Sequence, residues 1–148
     1  LENTGLACII DLGESGDIHP KNKVDVGKRL ALQALRKTYG KDVACESPSF
    51  RSYAIEGCKI RVTFDNAEGL KPAGETVEGF YIAGCDHVFH KADAVVCGQD
   101  VIVSSHKVRF PTAVRYAWAN NPVCNLYNAA GLPAIPFRTD SYVKVKNY

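Results

Sequence analysis

Hydrophobic residues follow different patterns in the two parts of the chain. The stretch LACIIDLG (6–13) is a short apolar run with β-branched residues, which is typical of a buried parallel strand. A loop over 14–20 follows, and KNKVDVGKRLALQALRKTYG (21–40) then has a helical period. The order strand, loop, helix predicts the end of an α/β unit, with the loop at the carboxyl end of the strand, where open sheets of this kind place their sites.

The predicted helix has two distinct faces. At 100° per residue, one face carries Val24, Gly27, Ala31, Ala34 and Leu35, and the opposite face carries Asp25, Arg29, Gln33 and Arg36. Asn22 is predicted as the N-cap and Gly40 as the stop at the carboxyl end.

From about residue 43 the pattern changes to short segments rich in Val, Ile, Tyr and Phe. They are SYAI, KIRVTFD, VEGFYIAG, HVFHKADAVVCG, DVIVSS and AVRYAWA, separated by turn signals at 56–57, 65–69 and 97–100. This pattern predicts an all-β sandwich-like domain. The last stretch, NNPVCNLYNAAGLPAIPFRTD (120–140), is interpreted as an ordered irregular tail packed by its apolar residues. Two units are therefore predicted, 1–42 and 43–148, and the fold class is α/β plus β.

Composition narrows the function classes. The hydrophobic fraction of 46% and the charged fraction of 23% are those of a globular protein. A net charge of +2 is too small to indicate nucleic acid or an anionic membrane as a partner. The chain lacks Met and begins with Leu1, so we interpret it as a fragment, a mature piece or a trimmed product. The six cysteines contain no CxxC pair, which argues against structural zinc and leaves disulfides and buried free thiols both open.

The candidate chemistry lies in GESGDIHPKNK (13–23). Ser15 only partly fits a nucleophile elbow, because Asp17 replaces its last glycine, and we interpret it as a loop serine. His19 is the better candidate, as a general base whose backbone Pro20 restricts. Asp17 or Glu14 could accept a hydrogen bond from its ring, whereas the competing interpretation is a histidine that caps the helix.

The other histidines and the lone tryptophan carry weaker signals. His87, His90 and His106 are interpreted as ordinary surface residues, with no metal-binding spacing. Trp118, in YAWANNP, either lines a sugar site or belongs to the core, and the core is the commoner place for a single tryptophan in a sandwich strand.

Two long motifs together are more specific than their parts. DLGESGDIHPKNKVDVGKRLALQAL (11–35), followed by AVRYAWANNPVCNLYNAAGLPAIPFRTD (113–140), resembles the C-terminal portion of sialate O-acetylesterase-like proteins. These are carbohydrate acetylesterases of the SGNH hydrolase superfamily. The resemblance implies that 1–42 is the last strand, loop and helix of a flavodoxin-like hydrolase domain. It also implies removal of acetyl groups from sugar hydroxyls by serine acyl transfer, without metal or cofactor.

In this resemblance His19 matches the catalytic base. The superfamily's acid usually lies three residues before the histidine, where this chain has Gly16, and Asp17 is the nearest carboxylate. A Ser-His dyad, helped by Asp17 or by a backbone carbonyl, is the alternative. The family's GQSN-like nucleophile motif does not occur in the chain, and Ser15 does not match it. We therefore expect half a site, whose nucleophile lies in an upstream segment.

The expected partners follow from the half-site. They are an acetylated carbohydrate and the upstream part of the same hydrolase domain, in cis or as a cleaved subunit, with no nucleic acid and no membrane. Such a protein is expected in a secreted, periplasmic or lysosomal setting rather than the cytoplasm. An apolar patch around Leu6, Ile9, Ala31 and Leu35 would then be exposed. The non-enzymatic alternative is a β-sandwich carbohydrate-binding or structural module with no activity of its own.

Overall fold

The computed structural model describes residues 4–19 and 21–142. The predicted effect of Pro20 on the backbone of His19 lies outside these residues. The described part contains one helix, α1 (Lys23–Lys37), and ten strands. The strands are β1 (Ser49–Glu56), β2 (Lys59–Asp65), β3 (Lys71–Pro72), β4 (Phe80–Ala83), β5 (His90–Lys91), β6 (Asp93–Cys97), β7 (Asp100–Ser104), β8 (Ala113–Tyr116), β9 (Leu126–Tyr127) and β10 (Phe137–Arg138).

The strands form two four-stranded antiparallel sheets and a short two-stranded ribbon. Their orders are β1-β2-β7-β6, β10-β8-β4-β5 and β3-β9. The turns predicted at 56–57, 65–69 and 97–100 connect or end strands, and Gly57, Gly69 and Gly98 in them have positive φ angles. The predicted β-rich domain is confirmed, and its paired strands are antiparallel, while the domain boundaries stay predictions.

One hydrophobic core joins the two large sheets. In β2, Ile60, Val62 and Phe64 alternate with more exposed residues and are almost completely buried, as expected for a strand with one face on a core. Residues from β4, β7, β8 and β10 complete the same cluster. The Phe137 ring, from the predicted tail, stacks on Phe50 with centroids 4.6 Å apart. The tail is therefore an integral part of the sandwich.

The strand predicted over 6–13 does not form. Residues 4–9 have no strand pairing, and a turn follows in which the Leu12 N–H donates to the Ile9 carbonyl at 3.0 Å. Cys8 is buried, but Leu6 and Ile9 are exposed. A parallel strand is held by hydrogen bonds to neighbouring strands, and no described strand lies beside this segment to supply them.

The helix forms where it was predicted, with its polar face inward. Asn22 is the N-cap, and its side chain accepts a hydrogen bond from the Asp25 N–H, as predicted. Gln33 is buried, whereas Ala31 and Leu35 on the apolar face are exposed. The exposure predicted for Leu6, Ile9, Ala31 and Leu35 is thus confirmed. Within the described residues, α1 is too short and too polar to cross a membrane.

Hydrogen bonds from Gln33 anchor the helix to the segment that leads into the sandwich. Its Nε2 donates to the Cys45 carbonyl at 2.5 Å and to the Leu6 carbonyl at 3.1 Å. The segment itself is fixed to the sandwich, since Ile135 N–H donates to the Pro48 carbonyl at 2.9 Å. All six cysteines are free thiols, and Cys8 and Cys45 are buried.

Candidate active-site loop

The loop between the apolar segment and α1 is a tight, exposed turn. Glu14 and Asp17 form an isolated antiparallel bridge, and the Asp17 N–H donates to the Glu14 carbonyl at 3.3 Å. Ser15 and Gly16 lie at the tip of this turn, and Ser15 is exposed to solvent. Ser15 is therefore not on a turn that leads directly into a helix, which is where a nucleophile elbow would place it.

The two carboxylates of the loop have different partners. Asp17 Oδ1 accepts a hydrogen bond of 2.8 Å from the backbone N–H of His19, which fixes the chain next to the imidazole. Glu14 instead contacts Lys21, whose Nζ lies 2.9 Å from its carboxylate and whose N–H donates at 3.3 Å. Of the two, Asp17 is thus the one that contacts His19, through its backbone.

A partly buried ion pair holds the base of the loop. The Arg29 guanidinium donates to both oxygens of Asp11, at 2.6 and 2.7 Å, and to the Cys8 carbonyl at 2.7 Å. Both side chains are only 11% exposed. The hydrogen bonds to Asp11 raise the pKa of Arg29. This two-pronged geometry fixes orientation as well as distance, so it sets where the loop leaves the apolar segment.

The same ion pair reaches the β-sandwich through Tyr127. The Tyr127 hydroxyl donates to Asp11 Oδ2 at 3.3 Å, across 116 positions of sequence. Burial, and next the negative charge of Asp11, raise the pKa of Tyr127 to about 12. The hydroxyl therefore stays protonated and remains a donor to Asp11 at neutral pH.

Loop and sandwich together line an open groove of about 650 Å³. The loop side is formed by residues that include Glu14, Ser15, Asp17 and Ile18, and the sandwich side by Asn120, Asn121, Pro122, Ile135 and Pro136. Its walls combine apolar side chains with a few carboxylates and amides, which is the usual make-up of a ligand site.

The sequence predicted His19 and Asp17 as site residues, which stays a prediction, and it did not predict the ion pair of Asp11 and Arg29 at the base of the loop. Asp11 ends the apolar run and Arg29 lies on the polar face of α1, so each could be noticed separately. Nothing in the sequence pattern pairs either of them with Tyr127. Within residues 4–19 and 21–142, no group of three or more His, Cys, Asp or Glu side chains is placed to hold a metal ion.

Trp118 is not a core residue, which corrects the more common expectation for a lone tryptophan. Its side chain is 49% exposed, and it lies just after β8 beside the sandwich wall of the groove. His87 is also more than an isolated surface residue, because its ring stacks on Tyr142 with centroids 3.7 Å apart.

The described residues form a β-sandwich domain that is preceded by a loop and one helix. An open groove lies between the loop and the sandwich. No protein-family model and no curated protein sequence matches the chain. Among solved structures, it is similar to a carbohydrate acetylesterase from Xanthomonas citri, with 46% sequence identity and a TM-score of 0.88. The likeness covers 92% of this chain and 32% of that protein. The chain thus spans about a third of the length of the acetylesterase that it matches.

Proposed function

We propose that this chain is the C-terminal part of a carbohydrate O-acetylesterase of the sialate O-acetylesterase-like, SGNH type. The observation that carries the proposal is the 46% identity to a carbohydrate acetylesterase over 92% of the chain. In the proposed reaction a serine attacks the acetyl carbonyl, an oxyanion hole stabilises the tetrahedral intermediate, and water then releases acetate.

In this proposal His19 is the general base, and the nucleophilic serine lies in an upstream segment of the hydrolase domain. The exposed, hydrogen-bonded loop supports this role, since a base must reach a substrate while its backbone is held in place. Asp17 holds that backbone through the 2.8 Å hydrogen bond to the His19 N–H. Asp11 and Arg29 act one step further away, as positioning residues at the base of the loop.

The exposed side of α1 fits the same proposal. Val24 and Leu35 on its apolar face are 67% and 37% exposed, whereas Gln33 on its polar face is buried. An amphipathic helix normally buries its apolar side. We infer that the upstream part of the hydrolase domain, in cis or as a cleaved subunit, covers this face and completes the sheet that residues 6–13 would join.

The test is hydrolysis of 4-nitrophenyl acetate by this chain alone and with the upstream segment supplied. We expect no activity above background from the chain alone, and activity from the completed protein that His19→Ala abolishes. If the completed protein is inactive, or if His19→Ala leaves its activity intact, the proposal is wrong. If the chain alone is active and the activity depends on His19, the nucleophile lies within these residues, and Ser15 becomes the first to replace.

Two substitutions and a matched control distinguish two roles for Asp17, which are holding the backbone of His19 and orienting its imidazole. If Asp17 acts only on the backbone of His19, Asp17→Asn keeps an oxygen acceptor and retains activity, whereas Asp17→Ala loses it. If the carboxylate orients the imidazole, both substitutions lower kcat. Asp42→Asn removes an exposed carboxylate that pairs with Arg36 and does not line the groove, and it should leave activity unchanged.

A further inference from the structure

Trp118 is held at the surface by an unusual backbone conformation. Ala117, the residue before it, is buried and has a φ of +48°, and its N–H donates to the Gly79 carbonyl at 2.9 Å. A non-glycine residue in this region is strained, and such strain is concentrated at functional sites. The kink turns the chain out of β8 directly after the buried Tyr116. The only tryptophan of the protein is thereby kept 49% exposed.

Trp118 lines a cleft of about 410 Å³, together with two other aromatic side chains. Tyr81, which is 43% exposed, and Phe89 line the same cleft, with Asn121 and Arg115 as polar groups. Partly exposed aromatic rings with a few convergent polar groups are typical of a ligand-binding surface.

The cationic group of the cleft is fixed in place. The Arg115 guanidinium donates to both oxygens of Asp140, each at 2.7 Å, and lies 3.8 Å from the centroid of the Phe89 ring. The side chain of Asp140 is completely buried, and the hydrogen bonds from Arg115 lower its pKa. The guanidinium carbon of Arg138 lies 5.3 Å from the centroid of the Trp118 ring. The cleft is therefore held in shape before any ligand arrives.

The cleft adjoins the open groove that lies between the loop and the sandwich. Asn121 and Pro122 line both spaces, so the segment after Trp118 is their common wall. A ligand that filled both would be an extended molecule with one end beside the loop that carries His19. A glycan chain has this length, and each pyranose ring offers an apolar C–H face to an aromatic ring and a rim of hydroxyls to amide and guanidinium donors.

We propose that the cleft lined by Tyr81, Phe89, Arg115 and Trp118 binds a neutral glycan chain, with one pyranose ring packed against Trp118. The cleft holds the glycan while one of its acetylated sugars lies at the neighbouring loop. This inference rests on the proposed carbohydrate esterase function, but it names a separate site that contains none of the reacting groups.

The single tryptophan gives a direct measurement. Titration of the chain with xylohexaose, which carries no acetyl group, should change the intensity or the wavelength of the tryptophan emission in a saturable way. Isothermal titration calorimetry then gives Kd for variants. Trp118→Ala and Tyr81→Ala should each weaken binding at least about tenfold, which is the size of loss that marks a dominant contact.

Phe110→Ala is the matched control. Phe110 is 73% exposed and has a guanidinium, that of Arg109, 5.3 Å from its ring centroid, so it reproduces the environment of Trp118 away from the cleft. Its replacement should leave Kd unchanged. No binding of xylohexaose by the unaltered chain, or equal binding after Trp118→Ala in a folded protein, would overturn the proposal. A loss in Phe110→Ala as large as that in Trp118→Ala would overturn it as well.

This experiment is independent of catalysis. Xylohexaose has no ester, and 4-nitrophenyl acetate has no sugar to occupy the cleft. Sugar binding by the chain, together with no ester hydrolysis by the protein completed with its upstream segment, would therefore support the cleft and contradict the esterase. Ester hydrolysis without sugar binding would support the esterase and contradict the cleft.

Discussion

Arg29 and Asp11 form a two-pronged ion pair that joins helix α1 to the start of the candidate active-site loop, with contacts of 2.6 and 2.7 Å. The pair is mostly buried and also takes a hydrogen bond from Tyr127. The loop is thus attached on one side to the helix and on the other to the β-sandwich, although it is itself exposed.

Arg29→Met should loosen the helix and the loop together. Removing the guanidinium leaves the mostly buried Asp11 carboxylate without an opposite charge, which costs about 3 kcal/mol. Hydrogen exchange of the α1 amides should accelerate by roughly a hundredfold. The control is Arg36→Met, because Arg36 pairs with Asp42 at 2.6 Å with both side chains well exposed, and such pairs contribute less than about 1 kcal/mol. Equal acceleration in the two variants would contradict a special role for Arg29.

Gly79→Ala should destabilise the sandwich beneath the aromatic cleft. Gly79 has a φ of +96°, and an added Cβ would lie 2.9 Å from the Val123 carbonyl oxygen and 3.2 Å from the Tyr116 ring. Backbone strain and overpacking together should lower the free energy of unfolding by roughly 2–4 kcal/mol.

Gly74→Ala separates the two causes of that loss. Gly74 also has a positive φ, +117°, but nothing lies within 4 Å of its added Cβ. It should lose only the conformational part, roughly 1–2 kcal/mol. Urea unfolding of both variants measures the difference, and an equal loss would show that the contact with Val123 is unimportant.

The protein should lose stability in alkali, in part through Tyr127. Its pKa is raised to about 12, against about 10 in an unfolded chain, so folding favours the protonated hydroxyl. The stabilisation is complete below pH about 10 and is lost as the pH rises towards 12. Burial also raises the pKa of Cys8 and Cys124, next to the same network, and these thiols act in the same direction.

The contribution of Tyr127 is measured from the slope of unfolding free energy against pH. Tyr127→Phe keeps the ring and removes the titrating group, so the slope between pH 10 and 12 should become shallower. The unaltered protein, measured over the same pH range, is the reference. An unchanged slope in Tyr127→Phe would contradict the assignment.

The apolar face of α1 should bind a hydrophobic dye. Val24→Gln with Leu35→Gln should reduce the fluorescence of bound dye, and any self-association seen by sedimentation, without loss of thermal stability, because both side chains lie exposed on this face. Val95→Gln replaces an apolar residue of β6 that is 66% exposed and lies outside the helix, and it should change the signal little. Dye binding that is the same in all three proteins would show that the helix face is covered within this chain.

Much of the β-sandwich could be predicted because its strands depend on local patterns. In β2, apolar residues alternate with polar ones, and Gly57 and Gly98 mark turns. The segment 6–13 shows the limit. Its apolar run predicts a strand, yet a strand requires neighbours. The helix shows the same limit, because its period predicted two faces but not that Gln33 would be the buried side.

The candidate site was only partly predictable for a related reason. His19 and Asp17 lie in one short motif, so the sequence could predict that they are close together, while their catalytic role stays a prediction. Tyr127 reaches Asp11 across 116 positions, and Ala117 exposes Trp118 through a backbone angle. Neither a long-range contact nor a strained φ leaves a periodic signal in the chain.

The hydrogen bond from Tyr127 to Asp11 has a consequence for the exchange of modules between related proteins. A sandwich from another protein, joined at the segment after α1, would keep every residue of the loop. The loop would still lose the hydrogen bond from Tyr127 of β9 that helps to orient it, unless the new sandwich supplied a hydroxyl at the same place. The sandwich of such a chimera would therefore need a tyrosine at the position of Tyr127, in addition to a matching overall shape.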